Sequence, residues 1–229
     1  MMDYLLTNPQ NSIWLTEKFF KGTSVNNICG YVYIKDDVNF DVLKKAINEL
    51  IKTNDSMRFK FKEENGSCVQ YENIYEEFDI ETFDFSSESD IEKKALEMAN
   101  VPFTFENSFL FKFILFKLPN NSGGFIVNVH HVIGDSWTLG LIAKEVTGIY
   151  SAILSNTYEE KQFPSYINYI NNENEYINSE KYIKDKAYWD EVFTTVPEVA
   201  SIPSMKDSKN IAHSCKGARE KFIIPEQEI

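Results

Sequence analysis

The feature that most constrains the fold is a long apolar stretch in the middle of the chain that turns back on itself. Residues 109–118 read FLFKFILFKL, residues 125–130 read FIVNVH, and the turn-rich sequence PNNSGG lies between them. Two apolar runs joined by a short turn predict a β-hairpin. A helix follows at once, because apolar residues then recur at intervals of three and four, at Leu139, Ile142, Val146, Ile149 and Ile153.

The remaining periodicities predict a mixture of strands and helices. Strands are expected at residues 29–34, 57–62 and 68–71, the last two joined by the turn sequence Asn65-Gly66. Helices are expected at residues 9–19, after a cap at Asn39, from a capping box at Ser89–Glu92 to about Asn100, and at residues 164–177 and 180–193. This order predicts an α/β fold: a two-layer sandwich with a mixed, largely antiparallel sheet and helices on one face.

Composition excludes several classes of protein. The 229 residues carry a net charge of −12, which disfavours nucleic acid as a partner. The sequence has neither a basic start followed by an apolar run nor an apolar stretch long enough to span a membrane, so we expect a cytoplasmic protein without membrane contact. Its three cysteines, Cys29, Cys68 and Cys215, have no paired spacing, which argues against a disulfide scaffold.

Residues able to do chemistry cluster where the second apolar strand ends. His130 and His131 close the strand, and Asp135 follows Gly134 at the turn into the helix. Neighbouring residues on a strand point to opposite faces, and the only other histidine is His213, so we expect no metal site. An imidazole takes up a proton near neutral pH, which predicts that one histidine is a working base and the other supports it.

Asp135 needs a partner if the turn buries its carboxylate, and it is also well placed to cap the following helix. We expect the partner to be Arg58, one of only two arginines, because a guanidinium grips a carboxylate with two hydrogen bonds. No serine or cysteine lies in a nucleophile elbow, so direct attack on a bound acyl group is favoured over an acyl-enzyme. The alternative is that the two histidines fill the core and that Arg58 is a surface residue of its strand.

At these residues the sequence resembles the condensation domains of nonribosomal peptide synthetases, within the chloramphenicol-acetyltransferase-like acyltransferases. Further family segments occur in order, at Gln10-x-x-x-Trp14, Met57–Phe61, Pro102-Phe103 to Leu110 and Tyr188-Trp189. Three departures from the family pattern are present. The arginine of the first motif is missing, Thr53-Asn54-Asp55 replaces the region of a family histidine, and Ser136 stands where the family has glycine.

The resemblance implies roles for individual residues. His131 is expected to be catalytic, His130 to support the structure, and Asp135 to form an ion pair with Arg58. The residues expected along the substrate channel are Gly134, Ser136 and Trp137.

The resemblance also implies the reaction and its partners. The reaction is amide-bond formation between a carrier-bound acyl or peptidyl thioester and a carrier-bound aminoacyl amine. No cofactor is bound directly; phosphopantetheine arms on carrier proteins deliver both substrates, in an assembly that includes an adenylation domain. Alternatives are an acyl-CoA-dependent O-acyltransferase, an epimerising relative, and a degenerate lobe that only docks carrier proteins.

A condensation domain has two similar lobes and is roughly twice as long as this chain. The resemblance therefore implies that residues 1–196 are the N-terminal lobe. Residues 197–229 are then a linker and the start of a crossover to a C-terminal lobe, with a strand beginning at residues 221–224. Because half a site cannot hold both reactants in position, we expect this chain alone to be inactive.

Overall fold

The computed structural model describes residues 2–198. The strands are β1 (Asp3–Leu5), β2 (Asn27–Ile34), β3 (Phe59–Glu64), β4 (Ser67–Glu72), β5 (Thr82–Asp84), β6 (Phe111–Lys117) and β7 (Gly123–His130). The helices are α1 (Asn8–Phe19), α2 (Phe40–Thr53), α3 (Glu88–Asn100), α4 (Ser136–Leu154), α5 (Tyr166–Ile177) and α6 (Glu180–Val192), with a short 3₁₀ turn at Asp55–Arg58. The predicted strand at residues 221–224 and nearly all of the predicted linker lie outside the described residues.

Contacts divide the chain into two units, Met1–Ile183 and Lys184–Ile229. The first unit contains every element from β1 to α5. Within it the strands form two separate sheets rather than the single predicted one. A three-stranded antiparallel sheet has the order β1-β4-β3, and a four-stranded sheet has the order β2-β7-β6-β5.

The four-stranded sheet is mixed and largely antiparallel, as predicted. Its pairs β2–β7 and β6–β7 are antiparallel, and only the short β5 runs parallel to β6. The β6–β7 pair is the hairpin expected from the two apolar runs. The strands β1 and β5, each three residues long, are not predicted by the sequence patterns.

Helices cover both faces of the four-stranded sheet, whereas the prediction placed them on one face. Phe125 and Val127 of β7 belong to the apolar core that includes buried residues of α2 and α4. Ile126, between them, belongs to a different core with Ile91 and Met98 of α3. Since every residue of β7 is buried, both of its faces require an apolar cover, and one layer of helices cannot supply it.

The hairpin between β3 and β4 turns at the predicted site. Asn65 and Gly66 have φ angles of 52° and 80°, the positive values that a tight two-residue hairpin turn requires. The first strand of this hairpin begins at Phe59, so Met57 and Arg58 lie in the 3₁₀ turn and not in the predicted strand.

Helix caps also follow local sequence. The side chain of Asn39 accepts a hydrogen bond from the N–H of Val42 at 3.1 Å and caps α2, as expected. Helix α3 begins two residues earlier than predicted, because Ser87 and Asp90 form its capping box. Among residues 2–198, no helix is both long and apolar enough to cross a bilayer.

Candidate active site

The loop 131–135 joins the buried strand β7 to α4, and Asp135 anchors the end of this loop. Its Oδ1 accepts hydrogen bonds from the N–H of Thr138 at 2.9 Å and from the Thr138 hydroxyl at 3.0 Å. The N–H of Asp135 donates to the same hydroxyl at 3.1 Å, which completes a capping box. These hydrogen bonds from Thr138 lower the pKa of Asp135. The predicted capping role of Asp135 is therefore confirmed.

The structure does not form the expected ion pair between Arg58 and Asp135. The Arg58 guanidinium instead forms an ion pair with Glu72 of β4, and its Nη1 donates to the carbonyls of Ile51, at 2.9 Å, and Lys52. Because the 3₁₀ turn directly follows α2, Arg58 Nη1 reaches the carbonyls at the C-terminal end of that helix, whereas Nη2 bonds to Glu72 and the buried Nε has no partner among residues 2–198. The Asp135 carboxylate already has acceptor bonds at the start of α4, so it needs no cationic partner.

His131 is exposed, and a hydrogen bond orients its ring. Its Nδ1 lies 3.0 Å from the carbonyl oxygen of Gly134. A carbonyl oxygen only accepts, so Nδ1 carries the proton and donates. In the neutral ring, Nε2 is then an unprotonated acceptor, and no group among residues 2–198 bonds to it. An exposed imidazole nitrogen without a bond in the fold is the kind of group that can act as a general base.

His130 is buried and has the opposite tautomer. The N–H of Val132 donates to its Nδ1 at 3.1 Å, so the proton of the neutral ring is on Nε2, which donates to Glu17 Oε2 at 3.2 Å. Burial lowers the pKa of His130, and this effect outweighs the opposing influence of the Glu17 carboxylate. The structure therefore gives His130 a supporting position and places His131 at the surface.

A cleft of about 530 Å³ opens beside His131. Its lining comprises Thr7, Pro9, Gln10, Ser12, Ile13, Ser56, Phe59, Gln70, His131, Val132, Ile133, Gly134, Asp135, Thr138, Tyr166 and Tyr169. The lining thus joins α1, the β3–β4 hairpin, the loop 131–135 and α5. Among the described residues that line it there is no lysine or arginine, and the single carboxylate is the one that caps α4.

Two buried glutamines form the polar floor of the cleft. Gln10 and Gln70 exchange amide hydrogen bonds of 3.0 and 2.8 Å. The Nε2 of Gln10 also lies 3.2 Å from the carbonyl oxygen of Val132, directly after His131. Helix α1 is therefore fastened both to the three-stranded sheet and to the histidine loop, which gives a structural role to the glutamine of the first family motif.

Aromatic rings form one wall of the cleft. Tyr166 and Tyr169 of α5 stack with ring centroids 5.6 Å apart, and Phe59 meets Tyr166 edge-on at 5.8 Å. Glu173 ties this helix to α1 by accepting from the N–H of Asn8 at 3.0 Å. The wall is consequently held against the rest of the cleft by the Glu173 side chain of α5, which bonds to the backbone at the start of α1.

Of the three residues predicted along the substrate channel, only Gly134 lines this cleft. Ser136 and Trp137 occupy the first turn of α4, where both are exposed, Trp137 to 77%. The loop directs these two side chains elsewhere because Asp135 and Thr138 fix the start of the helix. Within the described part of the chain, no three potential ligands come together as a metal site.

Sequence patterns do not single out Glu17 and Asn26, which the structure joins to the histidine pair. Glu17 lies seven residues after Gln10, so both are on one face of α1. Two polar residues at that spacing are the available sequence signal for Glu17, because the inner face of a helix is expected to carry apolar residues. Asn26 precedes β2 and carries no recognisable pattern.

Comparison with known proteins matches nearly the whole chain to one family. A family model described as the condensation domain matches residues 2–229. The chain is 33% identical over 231 residues to surfactin synthase subunit 1 of Bacillus subtilis (strain 168), covering 97% of this chain and 6% of that protein. It is 28% identical over 206 residues to the dimodular nonribosomal peptide synthase of the same strain, covering 88% and 9%.

Solved structures agree in fold. A mutant of the starter condensation domain of rhizomide synthetase RzmA, in complex with C8-CoA and Leu-SNAC, superposes with a TM-score of 0.79 at 23% identity, covering 88% of this chain and 48% of that one. The first condensation domain of the calcium-dependent antibiotic synthetase, in complex with a substrate analogue, gives 0.77 at 20% identity, covering 86% and 49%. The chain thus spans about half the length of these solved domains and under a tenth of the two synthases.

Proposed function

Because this chain belongs to the condensation-domain family of nonribosomal peptide synthetases, we propose that it is the N-terminal lobe of such a domain and supplies the base for amide-bond formation. The observation that carries the proposal is the 3.0 Å contact between His131 Nδ1 and the Gly134 carbonyl. It leaves Nε2 as the proton acceptor of an exposed ring beside an open cleft.

The proposed reaction joins an acyl or peptidyl thioester to the amine of an aminoacyl group. The amine nitrogen attacks the thioester carbonyl carbon, a C–N bond forms, and His131 Nε2 accepts the proton that the amine loses. The tetrahedral intermediate then breaks its C–S bond, and the leaving thiolate receives the proton. The base is regenerated, so no oxidant, metal or covalent acyl-enzyme is needed.

Both substrates are proposed to arrive on phosphopantetheine arms of carrier proteins, with an adenylation domain in the same assembly. The absence of lysine and arginine from the described lining of the cleft supports this arrangement, because a substrate held by a tethered arm needs no cationic anchor in the lobe itself. The second wall of the reaction chamber would come from a C-terminal lobe after residues 197–229. Since much of the rate of such a reaction comes from positioning, the isolated chain is proposed to be inactive.

The decisive experiment replaces His131 in the complete synthetase that carries this chain. We expect His131→Ala to lower the rate of amide formation by about 100- to 10,000-fold, the range for loss of a general base. Carrier loading, measured by mass spectrometry, should not change. The control is Lys112→Ala, which removes an exposed side chain of β6 and should leave the rate unchanged. A rate near that of the unmodified protein in His131→Ala would overturn the assignment.

A separate assay tests whether this chain is active without a second lobe. The 229-residue chain, given a synthetic acyl-pantetheine thioester and an aminoacyl thioester, should form no amide above the uncatalysed rate. Measurable amide formation above the uncatalysed rate would contradict the proposal that a second lobe is required.

A further inference from the structure

We propose that Glu17 is a positioning residue for His131. One carboxylate oxygen of Glu17 accepts hydrogen bonds from two residues, and these two residues hold the peptide N–H groups on either side of the His131 side chain. We call this set of hydrogen bonds the clamp. The kinetic consequence rests on the proposed function of His131. The geometry itself is independent of that function and is tested separately below.

One oxygen of the Glu17 carboxylate is shared by two donors. Oε2 of Glu17 accepts from the Nδ2 of Asn26 at 2.9 Å and from the Nε2 of His130 at 3.2 Å. The Glu17 side chain is 12% exposed and the His130 side chain 2%, so water competes little for these bonds. A single atom on α1 thereby holds the residue before β2 and the last residue of β7.

Asn26 and His130 in turn accept hydrogen bonds from two backbone N–H groups. The carbonyl of Asn26 accepts the N–H of His131 at 2.7 Å. The Nδ1 of His130 accepts the next N–H along the chain, that of Val132, at 3.1 Å. Both peptide N–H groups that flank the His131 side chain are therefore held by groups that Glu17 orients, and these peptide planes fix the direction of the Cα–Cβ bond from which the ring extends.

The hydrogen bond from the Val132 N–H depends on the charge of the His130 ring. His130 accepts from Val132 only while its Nδ1 is unprotonated, so the clamp requires a neutral ring. The charged or titratable groups that face it are Glu17 from α1 and the adjacent His131, and the aromatic rings of Phe103 and Phe105 pack around it at 6.2 and 5.4 Å. Burial lowers the pKa of His130, and Glu17 opposes that shift. Protonation of His130 at low pH would place its Nδ1–H opposite the Val132 N–H. Two donors would then face each other, and the hydrogen bond from Val132 would be lost.

A neighbouring ion pair provides the contrast. Glu63 also carries a carboxylate near α1, but it pairs with Lys18 at 2.7 Å at the surface, and both side chains are far more exposed than Glu17. No bond from Glu63 leads to the histidine loop among the described contacts. Loss of its carboxylate should therefore have no effect on His131, which makes it the matched control.

The kinetic test uses the complete synthetase. Glu17→Leu, which has no acceptor, should lower kcat by about 10- to 100-fold with little change in KM, because a small misplacement of a catalytic group has effects of this size. Glu17→Gln keeps an oxygen acceptor and should restore kcat to within about 3-fold of the unmodified protein, while Glu63→Leu should behave as the unmodified protein. Equal kcat values in Glu17→Leu and Glu63→Leu would overturn the proposal.

The second test detects the hydrogen-bonding state of the two histidines directly. It depends neither on enzymatic activity nor on whether Glu17→Leu folds. Long-range ¹⁵N–¹H NMR spectra of the 229-residue chain should show His130 protonated on Nε2 and His131 protonated on Nδ1. In Glu17→Gln the carboxylate that raises the pKa of His130 is gone, so its protonation should move to lower pH. A His130 ring protonated on Nδ1, or a titration unchanged by Glu17→Gln, would contradict the proposed geometry. If His131→Ala remains active while these spectra appear as expected, the proposed function fails and the clamp stands.

Discussion

The carboxylate of Asp55 accepts the backbone N–H of Tyr166 with both of its oxygens, at 3.0 and 2.9 Å. It also accepts from the hydroxyl of Ser165 at 2.5 Å. One side chain in the 3₁₀ turn thus holds the start of α5, the helix that supplies the aromatic wall of the cleft. Two segments that are 110 residues apart in sequence are joined at this point.

Asp55→Ala should therefore destabilise the protein by about 1 kcal/mol, the usual cost of losing a helix-capping carboxylate. Asp55→Asn keeps one oxygen acceptor and should cost less. Asp79→Ala removes a highly exposed carboxylate and should change stability by less than about 0.5 kcal/mol. Urea denaturation followed by circular dichroism measures all three. An equal loss in Asp55→Ala and Asp79→Ala would show that the bond to Tyr166 contributes nothing.

Replacing each of two glycines near the start of α4 by alanine should change the stability of the protein in opposite directions. A Cβ at Gly134 would lie 2.9 Å from Cγ2 of Thr138, so Gly134→Ala should push this residue from Asp135 and cost about 1 kcal/mol of cap stability. A Cβ at Gly140 would meet nothing within 4 Å, and Gly140→Ala should stabilise the helix by about 0.5–1 kcal/mol. Denaturation midpoints that shift in the same direction for both variants would contradict this difference in crowding.

Arg58 and Asp135 should act independently, because the structure gives them different partners. Asp135→Ala should cost about 1 kcal/mol through the lost cap, and the double variant with Arg58→Ala should be additive within about 0.5 kcal/mol. A double-mutant cycle between Arg58→Ala and Glu72→Ala should instead show coupling. The measurement is the free energy of unfolding in urea. Coupling above about 1 kcal/mol between Arg58 and Asp135 would restore the ion pair that the sequence resemblance implies.

Cys29 and Cys68, which lie in the first unit, should resist alkylation. Burial raises the pKa of Cys29 to about 11 and that of Cys68 to about 12. The thiolate is the reactive form, so both thiols should stay protonated and react slowly with iodoacetamide at about pH 8. Their rates should rise as the pH approaches the raised pKa values, and unfolding in urea should make both react readily. Peptide mapping by mass spectrometry gives the extent at each cysteine, and rapid labelling of Cys68 in the folded protein would contradict its burial.

Features that depend on neighbours in sequence are predictable. The Asn65-Gly66 turn, the Asn39 cap and the start of α4 each follow from a few adjacent residues with a defined backbone preference. The same holds for the position of His131 at the end of a buried strand, because apolar runs reveal where that strand ends.

Features that depend on distant neighbours are not predictable in this way. Strand β1 has three residues and gains its identity only by pairing with residues 69–71. Arg58 has several acceptors within reach, and nothing in the spacing of residues favours Glu72 over Asp135. Glu17 resembles any other polar residue of a surface helix until the fold brings His130 to it, 113 residues later in the chain.

The pairing of β1 with β4 also affects the order in which the protein can be assembled during synthesis. Strand β1 leaves the ribosome before β4 and has no partner until residues 69–71 have followed it. The cleft beside His131 must wait longer, since its walls run from Thr7 to Tyr169. A nascent chain halted before α5 would therefore have the strands of both sheets but an unfinished pocket, in which Phe59 would lack its contact with Tyr166 and could bind chaperones until translation resumed.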